Sequence, residues 1–205
     1  MIGERSLLRV GVLVPFLYFG TDIVGALFYP GYSRARQFAS ELGSSSAPHP
    51  AIFNAGLVIT GIAAVLAAAG FMTALRQLET PVVLSWLIAA TLLCFGLTMI
   101  VAGTFPSPDR RHGAFGIVYA VPAGPMLLTG ALWRRPETLW VRIFLLTTML
   151  SMIPMFLFMT GVVDIVTREN CGAFQRIYGL ALVPWIGVGS YALIRSRALQ
   201  DKTPR

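Results

Sequence analysis

Apolar residues fall in six long runs, Leu7–Tyr29, Ala51–Leu75, Pro81–Thr104, Ala114–Trp133, Leu139–Thr160 and Ala173–Ile194, and nearly all charges lie in the short segments between them. A helix rises about 1.5 Å per residue, so roughly 20 residues cross a hydrocarbon core about 30 Å thick. Every run meets that length. Backbone amides and carbonyls find no water inside lipid, which leaves helices as the way to satisfy them. The pattern therefore predicts an all-α polytopic membrane protein, a six-transmembrane-helix bundle forming a single integral membrane domain over residues 1–205. A second periodicity sits in the first connecting segment. Ala35, Phe38, Ala39 and Leu42 recur at i, i+3, i+4 and i+7, while Arg34, Arg36, Gln37 and Glu41 fall on other faces. That spacing predicts a short amphipathic helix in the first outer loop over Ser33–Leu42, with Ser33 as N-cap and Gly43 as stop.

Within the runs, small residues and prolines change the picture. The second run carries Gly56, Gly61, Ala63, Ala64, Ala67, Ala68, Ala69 and Gly70, a face that lets neighbouring helices approach closely. Prolines interrupt four runs, at Pro15, at Pro122 and Pro125, at Pro154 and at Pro184. Each removes an amide donor and frees a carbonyl. Ordinary kinks are one reading. The other is a cavity opening outward among the third, fourth and sixth spans, beneath His112 and Arg176, with Phe115, Tyr119, Phe174 and Tyr178 at its mouth and Thr98 or the backbone near Pro184 answering the freed carbonyls. A faint echo links His112-Gly-Ala-Phe-Gly-Ile-Val-Tyr119 with Cys171-Gly-Ala-Phe-Gln-Arg-Ile-Tyr178, as parallel hairpin repeats would.

Composition narrows the class further. Of 205 residues 56% are hydrophobic and 12% charged, about half the charge of a soluble domain. The net charge of +7 is scattered over loop ends, which argues for topology and against a nucleic-acid partner. Arg5, Arg9, Arg76, Arg134, Arg135, Arg142, Arg195, Arg197, Lys202 and Arg205 fall on one side. Arg34, Arg36, Arg110, Arg111, Arg168 and Arg176 fall on the other. The positive-inside rule then places both termini in the cytoplasm, in a multi-pass protein of the cytoplasmic (inner) membrane. Trp133 and Trp140 flank the fourth loop as interfacial anchors. The first run is too long for a signal core and reads as a span. Cys94 and Cys171 lie at different depths, which disfavours a disulfide between them.

The polar residues left unexplained gather toward the outer face. Asp22 lies inside the first span, where an ionisable group needs a partner or a function; Arg176, at the same level, is the natural partner. A salt bridge pinning the first helix to the sixth is the structural alternative to a functional role. Asp109 and His112, three apart, suit general acid–base work, since a carboxylate orients an imidazole; helix capping and a metal site remain open readings. With only His49 and His112 present, a three-histidine zinc site is excluded, and no metal or other cofactor is predicted. No nucleophile elbow, Gly-rich phosphate loop or intramembrane lysine occurs.

Tyr29-Pro-x-Tyr-Ser33, Gln37-x-x-Ser40-Glu41-Leu42-Gly43, Ala47-Pro48, Asn54-x-Gly56, Phe105-Pro106 with Asp109 and His112, and Gln175-Arg176 together resemble a bacterial and archaeal membrane family known as domain of unknown function 998. The resemblance covers essentially the whole chain. It implies six spans and no established activity, and a distant similarity to eukaryotic membrane proteins that remodel GPI-anchor lipids. It also implies that Glu41, Asp109, His112 and Arg176 belong to one site.

Three functional readings follow. The leading one is an extracytoplasmic-facing site that binds or processes a membrane lipid or other amphipathic small molecule by acid–base hydrolysis or transfer. Asp109, His112 and Glu41 would be its catalytic residues. Asp22, Tyr29, Tyr32, Arg34, Asn54, Tyr119, Asp164, Gln175 and Arg176 would form its binding surface, with Arg34 or Arg176 holding an anionic headgroup. The second reading is a non-catalytic scaffold or sensor. The third is a small proton- or ion-coupled transporter using Asp22.

Overall fold

The structure is a computed structural model that describes residues 3–200, leaving the side chains of Phe115, Met159 and residues 197–200 outside the description. The charges expected on Arg197, Lys202 and Arg205 therefore lie outside the described side chains. All regular structure among the described residues is helical: α1 (Glu4–Leu27), α2 (Pro50–Gln77), α3 (Val82–Thr104), α4 (Ala123–Ala131), α5 (Leu139–Met159), α6 (Cys171–Leu182) and α7 (Pro184–Gln200), with 3-10 segments at Ala39–Gly43, Arg110–Ala120 and Pro136–Thr138. Six segments are long and apolar enough to cross a membrane. The fourth is the 3-10 segment Arg110–Ala120 continued by α4, and the sixth is α6 continued by α7. Chain neighbours pack on one another in turn, and α7 returns to α1, which closes the bundle into a ring.

Close approach between α2 and α3 follows from the small residues. A Cβ on Gly61 would meet the Gly96 carbonyl oxygen at 2.5 Å, one on Gly96 would meet that of Gly61 at 2.8 Å, and one on Gly103 would meet that of Asn54 at 2.5 Å. The backbones touch because no side chain stands between them.

The prolines divide into two kinds. Pro15 and Pro154 are absorbed within α1 and α5, whereas Pro122 and Pro184 sit where a span changes from one helix to the next. A cavity does lie beneath His112 and Arg176, with Met99, Ala102 and Gln175 also on its lining, but that lining does not extend down to Pro122 and Pro125 between the fourth and sixth spans. Trp185, fully buried, fills the space against Gly124, where a Cβ would run into its indole ring. The carbonyls freed by Pro122 and Pro125 are answered by tighter turns: the Val121 amide donates to Val118 O at 3.0 Å and the Gly124 amide to Val121 O at 3.0 Å. Thr98 plays no part in this, since its hydroxyl donates to Cys94 O of its own helix. Tyr119 is exposed and stacks edge-on with Phe156, bordering a separate open pocket with Pro122 and Leu157, and Phe174 stacks edge-on with Phe158; neither lines the cavity beneath His112 and Arg176. Phe115 lies outside the described side chains.

The sequence echo also diverges in three dimensions. Cys171–Tyr178 is α-helical, while His112–Tyr119 is 3-10 and passes through positive φ at Ala114 (46°) and Gly116 (78°).

Candidate functional site

The first, third and fifth loops meet at one end of the bundle, and the second and fourth meet at the other, where Arg135 Nη2 donates to Leu78 O at 2.9 Å. The odd-loop end holds most of the unexplained polar residues. Its organising group is Arg176, on the second turn of α6. Nε and Nη2 of Arg176 grip Asp22 of α1 at 3.3 and 2.7 Å in a two-pronged bond. Nη2 also donates to the Tyr32 hydroxyl at 2.6 Å. Nη1 donates to the carbonyls of Arg34 at 2.8 Å, Gln37 at 3.1 Å and Gly172 at 3.0 Å. Arg34 Nη2 adds a second cation to Asp22 at 3.1 Å. The Asp22 and Arg176 side chains are 14% and 19% exposed, so this is a largely desolvated pair that also ties down the loop.

The loop itself is not the amphipathic helix that its spacing predicts. Residues 34–37 form turns, and only Ala39–Gly43 is helical, as a 3-10 turn that begins after Phe38 rather than Ser33. The reason lies in its main chain. An α-helix would spend the carbonyls of residues 34–38 on amides four residues ahead. Here they are taken by tertiary partners: Arg34 and Gln37 by the Arg176 guanidinium, Ala35 by the Ala173 amide at 3.0 Å, Arg36 by the Cys171 thiol at 3.0 Å, and Phe38 by the Tyr32 hydroxyl at 2.9 Å. The amides are spoken for as well. Phe38 N donates to Glu41 Oε1 at 2.8 Å and Ala39 N to Gln175 Oε1 at 2.6 Å. Gly172 permits the contact, since a Cβ there would overlap the Gln37 and Arg34 carbonyl oxygens. Burial raises the Tyr32 hydroxyl pKa, opposed by the hydrogen bond from Arg176. Tyr32 is thus kept in the protonated form that donates to the loop.

Beneath the loop lies a cavity of about 110 Å³. Tyr18, Phe19 and Asp22 of α1 form one wall, and Phe53, Leu57, Met99 and Ala102 of α2 and α3 form the other. The roof is Ala39 and Ser40 of the loop with His112, Gln175 and Arg176. His112 Nδ1 lies 3.2 Å from Ala102 O and 3.1 Å from Phe105 O. Both neighbours are acceptors, so Nδ1 carries the proton and Nε2 is left without a partner among the described residues.

The structure thus brings Asp22, Tyr32, Arg34, Gln175 and Arg176 into one cluster, with His112 on the cavity they border. Glu41 belongs to the loop framework, accepting from Phe38 N and, at 3.2 Å, from Gln37 Nε2. Tyr29 stacks on Tyr32 at 5.4 Å. Asn54 Nδ2 donates to Gly43 O at 2.9 Å, which anchors the far end of the loop, while its Oδ1 is buried without a partner. Asp109 makes no hydrogen bond to the His112 ring. It caps the 3-10 segment through Arg111 N at 2.8 Å and binds the Arg111 guanidinium at 3.0 and 2.7 Å. Those bonds from Arg111 hold its carboxyl at about 2, well below the usual carboxylate range. Asp164 is exposed with no partner among the described residues, and Tyr119 faces away from the cluster. Tyr18, Ser40 and Gln37 are members that sequence reasoning did not single out as site residues; Tyr18, one turn below Asp22, carried the legible signal of a polar group on the same helix face. No three His, Cys, Asp or Glu side chains among the described residues come together as a metal site.

The family described as Protein of unknown function (DUF998) matches residues 12–191. The chain is a DUF998 protein. No curated protein and no solved structure matches it. The matched range takes in both Asp22 and Arg176, so the clasp and the cavity of this DUF998 protein lie wholly inside the family domain.

Proposed function

We propose that this DUF998 protein binds part of an amphipathic molecule, a membrane lipid or a lipid-like compound, in the cavity beneath its first loop. The observation that carries the reading is the cavity's composition: mostly apolar walls from α1, α2 and α3, closed above by polar groups that the loop clasp holds in place. We place this end outside the cytoplasm, on the charge asymmetry of the loops. Processing of the bound molecule through an Asp109–His112 pair finds no support in the geometry, because the Asp109 carboxylate is committed to Arg111 and His112 is oriented by main-chain carbonyls. Transport finds none either, since Phe71, Phe95 and Trp185, all essentially without exposure, fill the bundle centre between the two ends.

One observation favours a second reading, a non-catalytic scaffold: every N–H of Arg176 is already satisfied inside the protein, as a purely structural clasp would have it. Lipid extraction and mass spectrometry of protein purified in mild detergent separates the two. Ala102→Leu and Ser40→Phe fill the cavity from opposite sides. The binding reading expects a stoichiometric lipid in the parent protein that both variants lose while remaining folded. Equal lipid in all three, or none in the parent, leaves the scaffold.

A further inference from the structure

The cavity's charged groups are already spent, and its free groups are neutral. Arg176 gives its guanidinium to Asp22, Tyr32 and three carbonyls, and Asp22 is covered by two guanidinium groups. A phosphate or carboxylate arriving at the roof would have to break that clasp to reach a cation, at the cost of leaving Asp22 in a largely desolvated place with its partner shared. Four other groups on the cavity have no hydrogen-bond partner among the described residues and are open to a ligand. They are the Tyr18 hydroxyl, the Ser40 hydroxyl, the Gln175 amide nitrogen and His112 Nε2. Gln175 is oriented by its own carbonyl oxygen, which accepts from Ala39 N and so presents the NH2 donors to the site. His112 is oriented by its protonated Nδ1, so the neutral ring offers a lone pair at Nε2. Two hydroxyls, one amide donor and one imidazole acceptor match a hydroxyl-bearing, uncharged head.

Size points the same way. A cavity of about 110 Å³ is smaller than the roughly 150 Å³ apolar cavity that accommodates benzene in another protein, so it takes a few heavy atoms and not a whole lipid. Resting on the binding reading above, we infer that the ligand is a neutral amphipath whose hydroxyl or glycerol end enters the cavity, such as a monoacylglycerol or a long-chain alcohol, and that anionic lipids are excluded. The clasp is what makes the exclusion: it supplies rigidity to the roof while committing Arg176, the cation among the cavity's lining residues, to partners within the protein.

The test uses the full chain in detergent and four probes of equal chain length: 1-monooleoylglycerol, oleyl alcohol, oleate at pH 9 and 1-oleoyl lysophosphatidate. Binding is read by competition against a photoreactive monoacylglycerol and by thermal shift. Expected is binding of the two neutral probes at least tenfold tighter than either anion. Tyr18→Phe and Gln175→Glu should each weaken monooleoylglycerol by about tenfold, one hydrogen bond's worth. Gln175→Glu keeps the oxygen that holds Ala39 N, so its ligand-free melting temperature should stay close to the parent's and separate lost binding from lost folding. If an anion binds as tightly and competes at the same cavity, the neutral-ligand inference is overturned while the binding reading stands. If no probe binds, or binding ignores Tyr18→Phe, Gln175→Glu and the cavity-filling Ala102→Leu alike, both fall.

Discussion

Removing Arg176 should cost more than removing the carboxylate it pairs with, and the two losses should not add. Arg176→Gln strips Asp22 of its main partner and also withdraws the donor from Tyr32 and from the Arg34, Gln37 and Gly172 carbonyls. Breaking a desolvated pair costs about 3–5 kcal/mol, and with Asp22 14% and Arg176 19% exposed the full range applies. Asp22→Asn is milder, about 2–3 kcal/mol, because the guanidinium keeps its carbonyl and hydroxyl acceptors and Asn still accepts one bond. Arg34→Gln touches a half-exposed partner and should cost below about 1 kcal/mol. At roughly 2–4 °C per kcal/mol for a chain of this size, the expected falls in melting temperature are about 6–20 °C for Arg176→Gln and about 4–12 °C for Asp22→Asn. The double variant should recover about 1–3 kcal/mol relative to the sum. Arg176→Lys should rescue little, since one ammonium cannot serve a carboxylate fork and three carbonyls together. The assay is thermal unfolding in detergent by tryptophan fluorescence, paired with limited trypsin digestion, which cuts after Arg34 and Arg36 only when the loop lifts. Strictly additive losses, or a loop as resistant in Arg176→Gln as in the parent, would refute the clasp.

Gly172→Ala should lift the same loop without touching any charge, because its Cβ would overlap the Gln37 and Arg34 carbonyls; Gly130→Ala, with open space around it in α4, should instead stabilise by about 0.5–1 kcal/mol, and the pair of melting curves checks both. Gly96→Val should part α2 from α3 and lower the melting temperature by at least the amount expected of an overpacked core, about 1–3 kcal/mol. Asp109 should titrate near 2 by carboxyl NMR. Because its pKa is lowered below the free value of 3.8, its contribution to stability is present above that value and lost as the pH falls toward 2, so Asp109→Asn should leave the stability profile flat between pH 5 and 8. On a Cys94→Ala, Cys171→Ser background, Ser45→Cys should react with an impermeant maleimide in intact cells and Glu137→Cys should not; the reverse pattern inverts the topology.

The spans were legible because lipid imposes two demands that a sequence shows directly, enough apolar length and few charges, and all six runs meet them wherever their neighbours lie. The glycines of the second run signalled close packing for the same local reason. Asp22 announced that it needed a partner, and Arg176, at the same level, could be named. What the partner does beyond Asp22 was not legible. The Ser33–Leu42 spacing is a sound helix signal, but five of its carbonyls are claimed by groups on α6 and by Tyr32, and tertiary donors more than 130 residues away outweigh a local period. The two Gly-Ala-Phe segments read alike and fold differently, one as a 3-10 segment and one as an α-helix. The prolines of the fourth span marked a break correctly and the depth of the cavity wrongly, since the cavity beneath His112 and Arg176 has no lining residue at Pro122 or Pro125. Whether a freed carbonyl meets a void, a ligand or the next turn depends on which side chain fills the gap, and Trp185, some 60 residues on, fills it. Placing polar groups at the odd-loop end was a matter of sequence. Sorting them into spent charges and free neutral groups required the fold, because a hydrogen bond depends on distances the chain sets only once it has closed its ring.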